Sequence, residues 1–172
     1  MGLSNAVSGG IILVALVFAL MTVPKLMDST LSLQEVSSSV ANLEDSIAST
    51  LISVDTLVAP TVNSDEITFS VNGLGEEKLW NFERFNVIVT YDGASGKSTE
   101  PLSYAGACSG QPAEGTWCVD SISDDILDPG ILNYGESLEV KSTLAEDVSS
   151  GIVIVVVGTD NGVVATTSGL VP

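Results

Sequence analysis

Residues 152–167, IVIVVVGTDNGVVATT, contain two β-branched runs that flank a turn. Ile152–Val157 contains only β-branched residues, which favour strands, and its lack of polar positions predicts burial on both faces. The turn contains the pair Asn161-Gly162, and such a pair between two β runs predicts a hairpin. Val163–Thr167 is then the returning strand. We therefore expect the C-terminal part of the chain to be built from hairpins.

Three segments upstream of this hairpin also have the composition of strands. Ile67–Val71 alternates between apolar and polar residues. Phe85–Tyr91 places Val87, Val89 and Tyr91 on one face, and Ser137–Thr143 is a third strand candidate. Short strands separated by turn residues predict an all-β antiparallel sandwich.

The N-terminal segment has a different character, because it is apolar and uncharged from Leu3 to Val23. About 20 apolar residues are needed to cross a bilayer core as a helix. A cleavable secretory peptide would begin with basic residues, which this segment lacks. We therefore predict a retained hydrophobic helix that serves as a membrane anchor or an assembly element. Its assembly positions are predicted at Ile11, Ile12, Leu13, Val14, Leu16, Val17, Phe18 and Leu20.

Residues 26–54 continue with the periodicity of a second helical segment, joined to the first through a kink at Pro24. Apolar residues recur there at spacings of three and four, which indicates a single apolar stripe. The stripe serves either to pack a stalk helix on its own domain or to contact another subunit. The predicted domains are accordingly 1–54, a transmembrane or assembly helix, and 55–172, a β-sandwich. The stripe positions assigned to assembly are Leu33, Val36, Val40, Leu43 and Ile47.

Charge is concentrated on the second of these domains. The chain has 22 acidic residues, 5 basic ones and no histidine, for a net charge of −17, with a mean hydropathy of +0.42. Residues 56–172 carry 17 of the acids and four of the bases, a net charge of −13. So acidic a surface repels nucleic acid, and the missing histidine excludes His-based catalysis. We predict no enzymatic activity, no cofactor and no nucleic-acid partner.

Two cysteines, Cys108 and Cys118, enclose a short loop. Their spacing matches neither a redox C-x-x-C motif nor a zinc site. The prediction is a disulfide, which would imply an oxidising environment, with two free thiols as the alternative.

Two further clusters are candidates for binding. The acids Asp120, Asp124, Asp125 and Asp128 surround a turn, and they form either a calcium site or a solvated acidic surface. Residues 79–85 contain three aromatic side chains, which belong either to the core or to a protein interface. The candidate interface residues are Trp80, Phe82 and Phe85.

Three stretches of this sequence resemble a known group of proteins. They are MGLSNAVSGG at residues 1–10, which leads into the aliphatic helix, EKLWNFERFNVIVTYDG at residues 77–93 and ILNYGE at residues 131–136. With this pattern the chain is similar to the archaeal type IV pilin-like superfamily. Within that superfamily it most resembles archaellum accessory proteins of the FlaF/FlaG type. The alternative resemblance is to the archaellins and archaeal pilins, which are filament subunits.

The resemblance implies a membrane-anchored helix that carries an immunoglobulin-like sandwich outside the cell. It implies a stator-type role in the archaellum, the archaeal swimming filament, or alternatively a filament subunit that polymerises through its helix. The implied partners are copies of the chain, other archaellum or pilus subunits, an envelope (S-layer) protein and the membrane. The implied localisation is a helix in the cell membrane or filament core and an extracellular C-terminal domain.

Overall fold

The computed structural model describes the backbone of residues 2–58 and 63–172, and their side chains except at 2–9, 19, 22–33 and 56–58. The chain forms two compact units, Met1–Glu44 and Asp45–Pro172. It begins with helix α1, Gly2–Ser49. A short 3-10 turn, Phe82–Arg84, precedes the third strand. The eight strands are β1 Ile52–Val58, β2 Glu66–Gly73, β3 Asn86–Gly93, β4 Gly96–Ala107, β5 Thr116–Ser123, β6 Ser137–Thr143, β7 Gly151–Gly158 and β8 Val164–Val171.

Helix α1 differs from the predicted hydrophobic assembly helix. Over the part of the chain that the structure describes, no helix combines the length and the apolar character that a membrane crossing requires. The prediction of a helix placed in a membrane or filament core is therefore wrong, and so is the localisation that depended on it.

The predicted immunoglobulin-like antiparallel sandwich is also wrong. The strands form one eight-stranded sheet in the order β1-β2-β6-β5-β4-β3-β7-β8. The first strand lies against the last, so the sheet is nearly closed into a barrel. β4 and β5 pair in parallel, and the other neighbouring strands are antiparallel. The parallel pair joins the two halves that a sandwich would keep as separate sheets.

The core lies inside this curved sheet and is made by alternate residues of each strand. Val87, Val89 and Tyr91 of β3 are buried together, as their spacing predicts. Within the run Ile152–Val157 of β7, Val153, Val155 and Val157 are fully buried, and Ile152 is exposed. The predicted burial of this run on both faces is wrong, because Ile154 and Val156 on the other face are only half-buried.

The predicted hairpin is confirmed between β7 and β8, which pair from Gly151↔Val171 to Gly158↔Val164. Its loop is longer than a two-residue turn. The Thr159 N–H donates to the Val163 carbonyl (2.9 Å), and the Gly162 N–H donates to the Thr159 carbonyl (3.1 Å). Gly162 has φ +91°, in the left-handed region that glycine adopts without steric cost.

Candidate functional site

The last turn of α1, Asp45–Ser49, belongs to the same compact unit as the sheet and is held there by the β7–β8 loop. The Asn161 side-chain amide donates to the Ser46 carbonyl (3.3 Å), to the Ser46 hydroxyl (3.2 Å) and to the Thr50 hydroxyl (2.5 Å). The final carbonyls of a helix have no partner within the helix. The Ser46 carbonyl accepts from the Thr50 N–H (3.1 Å) and the Thr50 hydroxyl (2.7 Å), and Asn161, 115 positions away, adds a further bond.

The loop after β2 contacts the same helix end through its backbone. The Glu77 N–H donates to the Ser49 carbonyl (3.3 Å), and the Gly75 N–H donates to the Leu51 carbonyl (3.0 Å). A β-carbon on Gly75 would lie 2.2 Å from the Ser49 carbonyl oxygen. Glycine is therefore required at position 75 by close packing.

That loop, residues 74–81, lies beside the β5–β6 loop, residues 124–136, and we call the two together the two-loop surface. Leu79 and Leu132 form an antiparallel bridge with N–H···O distances of 3.1 and 2.8 Å. The Gly135 N–H donates to the Gly73 carbonyl (2.8 Å). Lys78 and Asp128 add an ion pair between the loops.

A buried polar network fixes the longer of the two loops. The Glu136 carboxylate accepts from the Asn133 backbone N–H (2.8 Å) and from the Asn133 side-chain amide (3.1 Å). The same amide donates to the carbonyls of Leu127 (2.8 Å) and Ile131 (3.1 Å). Glu136 and Asn133 are both buried, so these bonds form where unpaired groups would be costly.

Several large apolar side chains on this scaffold point outward. Trp80 is 66 % exposed, Ile126 81 %, Leu127 71 % and Tyr134 73 %. Leu74 is exposed as well. Exposed apolar and aromatic side chains grouped in this way mark an interaction surface more often than scattered ones do.

The structure separates the three aromatic residues that were candidates for an interface. Phe82 and Phe85 are buried and meet edge to face, with ring centroids 5.4 Å apart. Trp80 alone of the three is exposed. Sequence reasoning overlooked its companions Ile126 and Leu127, although two adjacent apolar residues between Asp124-Asp125 and Asp128-Pro129 were a usable signal.

The predicted acidic cluster is dispersed among different partners. Asp120 pairs with Lys141 (2.7 Å), and Asp128 pairs with Lys78. The Asp125 carboxylate accepts from the Gly130 N–H (3.0 Å). Within the described residues, no group of three or more acidic or cysteine side chains is placed to hold a metal ion.

Cys108 and Cys118 form the predicted disulfide. The loop that it closes connects the parallel strands β4 and β5. Beside it lies a small pocket of about 230 Å³, lined by uncharged residues that include Ala107, Gln111 and Pro112. The pocket offers no ionisable side chain for catalysis.

The predicted assembly positions on α1 are exposed where their side chains are described. This holds for Ile11 through Leu20 and for Val36, Val40, Leu43 and Ile47. Leu33 lies outside the residues whose side chains are described. Their role in assembly stays a prediction.

No protein-family model matches the chain, and no curated protein matches it in sequence. Its fold is shared with solved structures of archaellum stator proteins. The archaellum periplasmic stator protein FlaG from Sulfolobus acidocaldarius is 17 % identical, with a TM-score of 0.51 over 70 % of this chain and 99 % of that one. The archaellum periplasmic stator protein complex FlaF and FlaG from the same organism is also 17 % identical, with a TM-score of 0.50 over 69 % of this chain and 87 % of that one.

This likeness is one of fold. It agrees with the predicted resemblance to archaellum accessory proteins, and it does not confirm membership of the wider type IV pilin-like superfamily. The descriptions of both structures name stator proteins and no enzyme, which agrees with the prediction that this chain is not an enzyme.

Proposed function

We propose that this protein is an accessory structural subunit of the archaellum with a stator-type role. The observation that carries the proposal is the shared fold, which extends over 70 % of this chain and nearly all of the FlaG chain. The exposed apolar residues of the two-loop surface support it, since such a subunit acts by binding other proteins.

The proposed partners are other subunits of the archaellum. FlaG has been solved in a complex with FlaF, and by analogy this chain would also bind a second accessory subunit. Copies of the chain and an envelope (S-layer) protein are further candidates. We assign the exposed stripe Val36, Val40, Leu43 and Ile47 to contacts of this kind, within the helical domain predicted at 1–54 and distinct from the β domain at 55–172.

Deleting the gene and scoring swimming and filaments separately tests this function. We expect cells that still assemble archaella but do not swim, because an accessory subunit is needed for torque and not for polymer growth. Re-expression of the intact protein should restore swimming. Normal swimming of the deletion strain would overturn the proposal, and so would the loss of the filaments themselves.

A further inference from the structure

We propose that the two-loop surface docks a different protein, one that offers an apolar pocket surrounded by lysine or arginine side chains. The inference rests on the proposed function only for the class of that partner, another archaellum subunit. The docking chemistry itself follows from three properties of the surface: apolar anchors, a fixed backbone and a negative rim.

The anchors have the composition of an interface centre. Trp80 and Tyr134 are exposed by two thirds or more, and tryptophan and tyrosine are enriched among the residues that dominate binding energy. Ile126 and Leu127, on the longer of the two loops, add exposed branched aliphatic surface. Exposure of these apolar side chains to water is unfavourable in the isolated protein. Burial in a complementary pocket of a partner would remove that cost and favour binding.

The backbone that presents these anchors is held in place before any partner arrives. Two inter-loop bonds at Leu79 and Leu132, together with the buried Asn133–Glu136 network, fix both loops. Asp124 and Asp128 have positive φ values of 59° and 51°, so the segment carrying Ile126 and Leu127 is bounded by two sparsely populated conformations. A fixed surface binds at a lower entropic cost than a flexible one.

The rim decides what kind of partner fits. Glu76, Glu77, Asp124 and Asp128 are exposed on the two loops, and the one cation there, Lys78, is paired with Asp128. Acidic rims favour basic partners, because complementary charge speeds association and opposes wrong pairings.

The same charges argue against a second copy of the chain as the occupant. A copy would bring its own two-loop surface, or another part of residues 56–172, which carry 17 acids and four bases. Of those four bases, Lys78 and Lys141 are already in ion pairs. Like charges placed opposite each other disfavour such a contact.

Site-specific photo-crosslinking of the full chain in archaellum-producing cells tests this surface. A benzophenone amino acid replaces Trp80 or Leu127, and the matched control carries it at Leu170, an equally exposed apolar residue on β8. We expect adducts with one different protein from positions 80 and 127 and none from 170. Peptide mapping should place the adduct beside lysine or arginine residues.

Charge reversal on the rim provides the second readout. Glu76→Lys with Glu77→Lys should reduce the adduct from position 127 by about tenfold. Glu114→Lys with Asp160→Lys makes the same charge change at exposed sites outside the two loops and should leave the yield unchanged. Thermal unfolding of each variant verifies that it is folded.

The outcomes distinguish a failure of the proposed docking surface from a failure of the proposed function. The proposed docking surface would be overturned by any of four results: adducts with the chain itself, equal labelling from position 170, no adduct, or no effect of charge reversal on the rim. If a rim-dependent adduct forms with a protein outside the archaellum, the surface stands and the proposed function fails. If deletion abolishes swimming but no adduct forms, the proposed function stands and the surface fails.

Discussion

At the scale of single residues, Asn161 has two roles in this structure. It was identified in the sequence as half of a hairpin turn, and it does lie in the loop between β7 and β8. Its side-chain amide, however, donates hydrogen bonds to Ser46 and Thr50 at the end of the helix. A turn residue thereby becomes a C-terminal cap for a helix that ends more than a hundred residues earlier.

Asn161→Ala should therefore lower the free energy of unfolding by about 1 kcal/mol, because the bonds from its side-chain amide to Ser46 and Thr50 are lost while the Ser46 carbonyl keeps the Thr50 N–H. Denaturant unfolding of the whole chain measures the effect. Asp160→Ala, an exposed change in the same loop, is the control and should stay within about 0.5 kcal/mol of the parent. Equal stability of the two variants would contradict the capping role.

Tyr91 gives a second prediction, one that concerns pH. Burial of its side chain raises the pKa of the Tyr91 hydroxyl above the usual value of 10.0, and the nearby Glu100 carboxylate raises it further. The folded state therefore favours the protonated phenol. This contribution to stability is complete below about pH 10 and is lost as the pH rises through the folded-state pKa.

Unfolding measured from neutral pH to above about pH 10 should show this loss in the parent chain. Tyr91→Phe removes the ionisable group, so its stability should fall less steeply over the same range. The difference in free energy of unfolding between the two proteins at neutral pH serves as the baseline. Parallel pH profiles would refute the assignment.

At the scale of elements, the connection from β4 to β5 decides the topology. Parallel neighbours usually require a crossover of a dozen or more residues. Here the short loop between Ala107 and Thr116 suffices, and the Cys108–Cys118 disulfide closes it. The Gln111 amide and the Pro112 carbonyl both bond Thr143 on β6 (2.9 and 2.8 Å), which ties the loop to the sheet.

Replacing both cysteines by serine should cost roughly 3 kcal/mol, the chain-entropy value for a loop of this size. Chemical unfolding of oxidised and reduced protein provides the measurement, with the Cys108→Ser/Cys118→Ser chain giving the same midpoint under both conditions. Mass spectrometry of unreduced protein should find no alkylatable thiol. Two labelled thiols, or no change in midpoint on reduction, would count against the bond.

At the scale of the whole β unit, charge is distributed unevenly over the outer face of the sheet. The outward positions of β2, β5 and β6 include Glu66, Asp120, Glu139 and Lys141. The outward positions of β7 and β8 are uncharged, with Ile152 paired to Leu170. Residues 56–172 carry a net charge of −13, so like charges on this unit repel one another at low ionic strength.

Added salt should consequently stabilise the protein. Raising NaCl from about 0.01 M to about 1 M shortens the screening length from about 30 Å to about 3 Å, and the thermal midpoint should rise over that range. A variant with Glu114→Gln and Asp160→Asn lacks two exposed acids, so its thermal midpoint should rise less over the same range of salt. A midpoint that falls or stays constant with salt would contradict the repulsion argument.

The sequence predicted much of the local structure. Alternation placed β2, β3 and β6, and Asn161-Gly162 placed the β7–β8 hairpin, because side-chain periodicity and turn conformation are local properties. The spacing of Cys108 and Cys118 was sufficient to predict their bond. Among the proposed interface residues, Trp80 was identified because clustered aromatic residues are visible in the sequence.

The local elements, the acidic composition and the disulfide could therefore be predicted from the sequence. The tertiary structure was needed to show that β4 and β5 pair in parallel, that the sheet curves until β1 lies against β8, and that the loops carrying Trp80 and Leu127 are bridged through Leu79 and Leu132. The physical reason is that strand pairing, curvature and loop contacts depend on residues far apart in the chain. Such long-range contacts leave no regular spacing of apolar residues in the sequence, so they cannot be recognised from it.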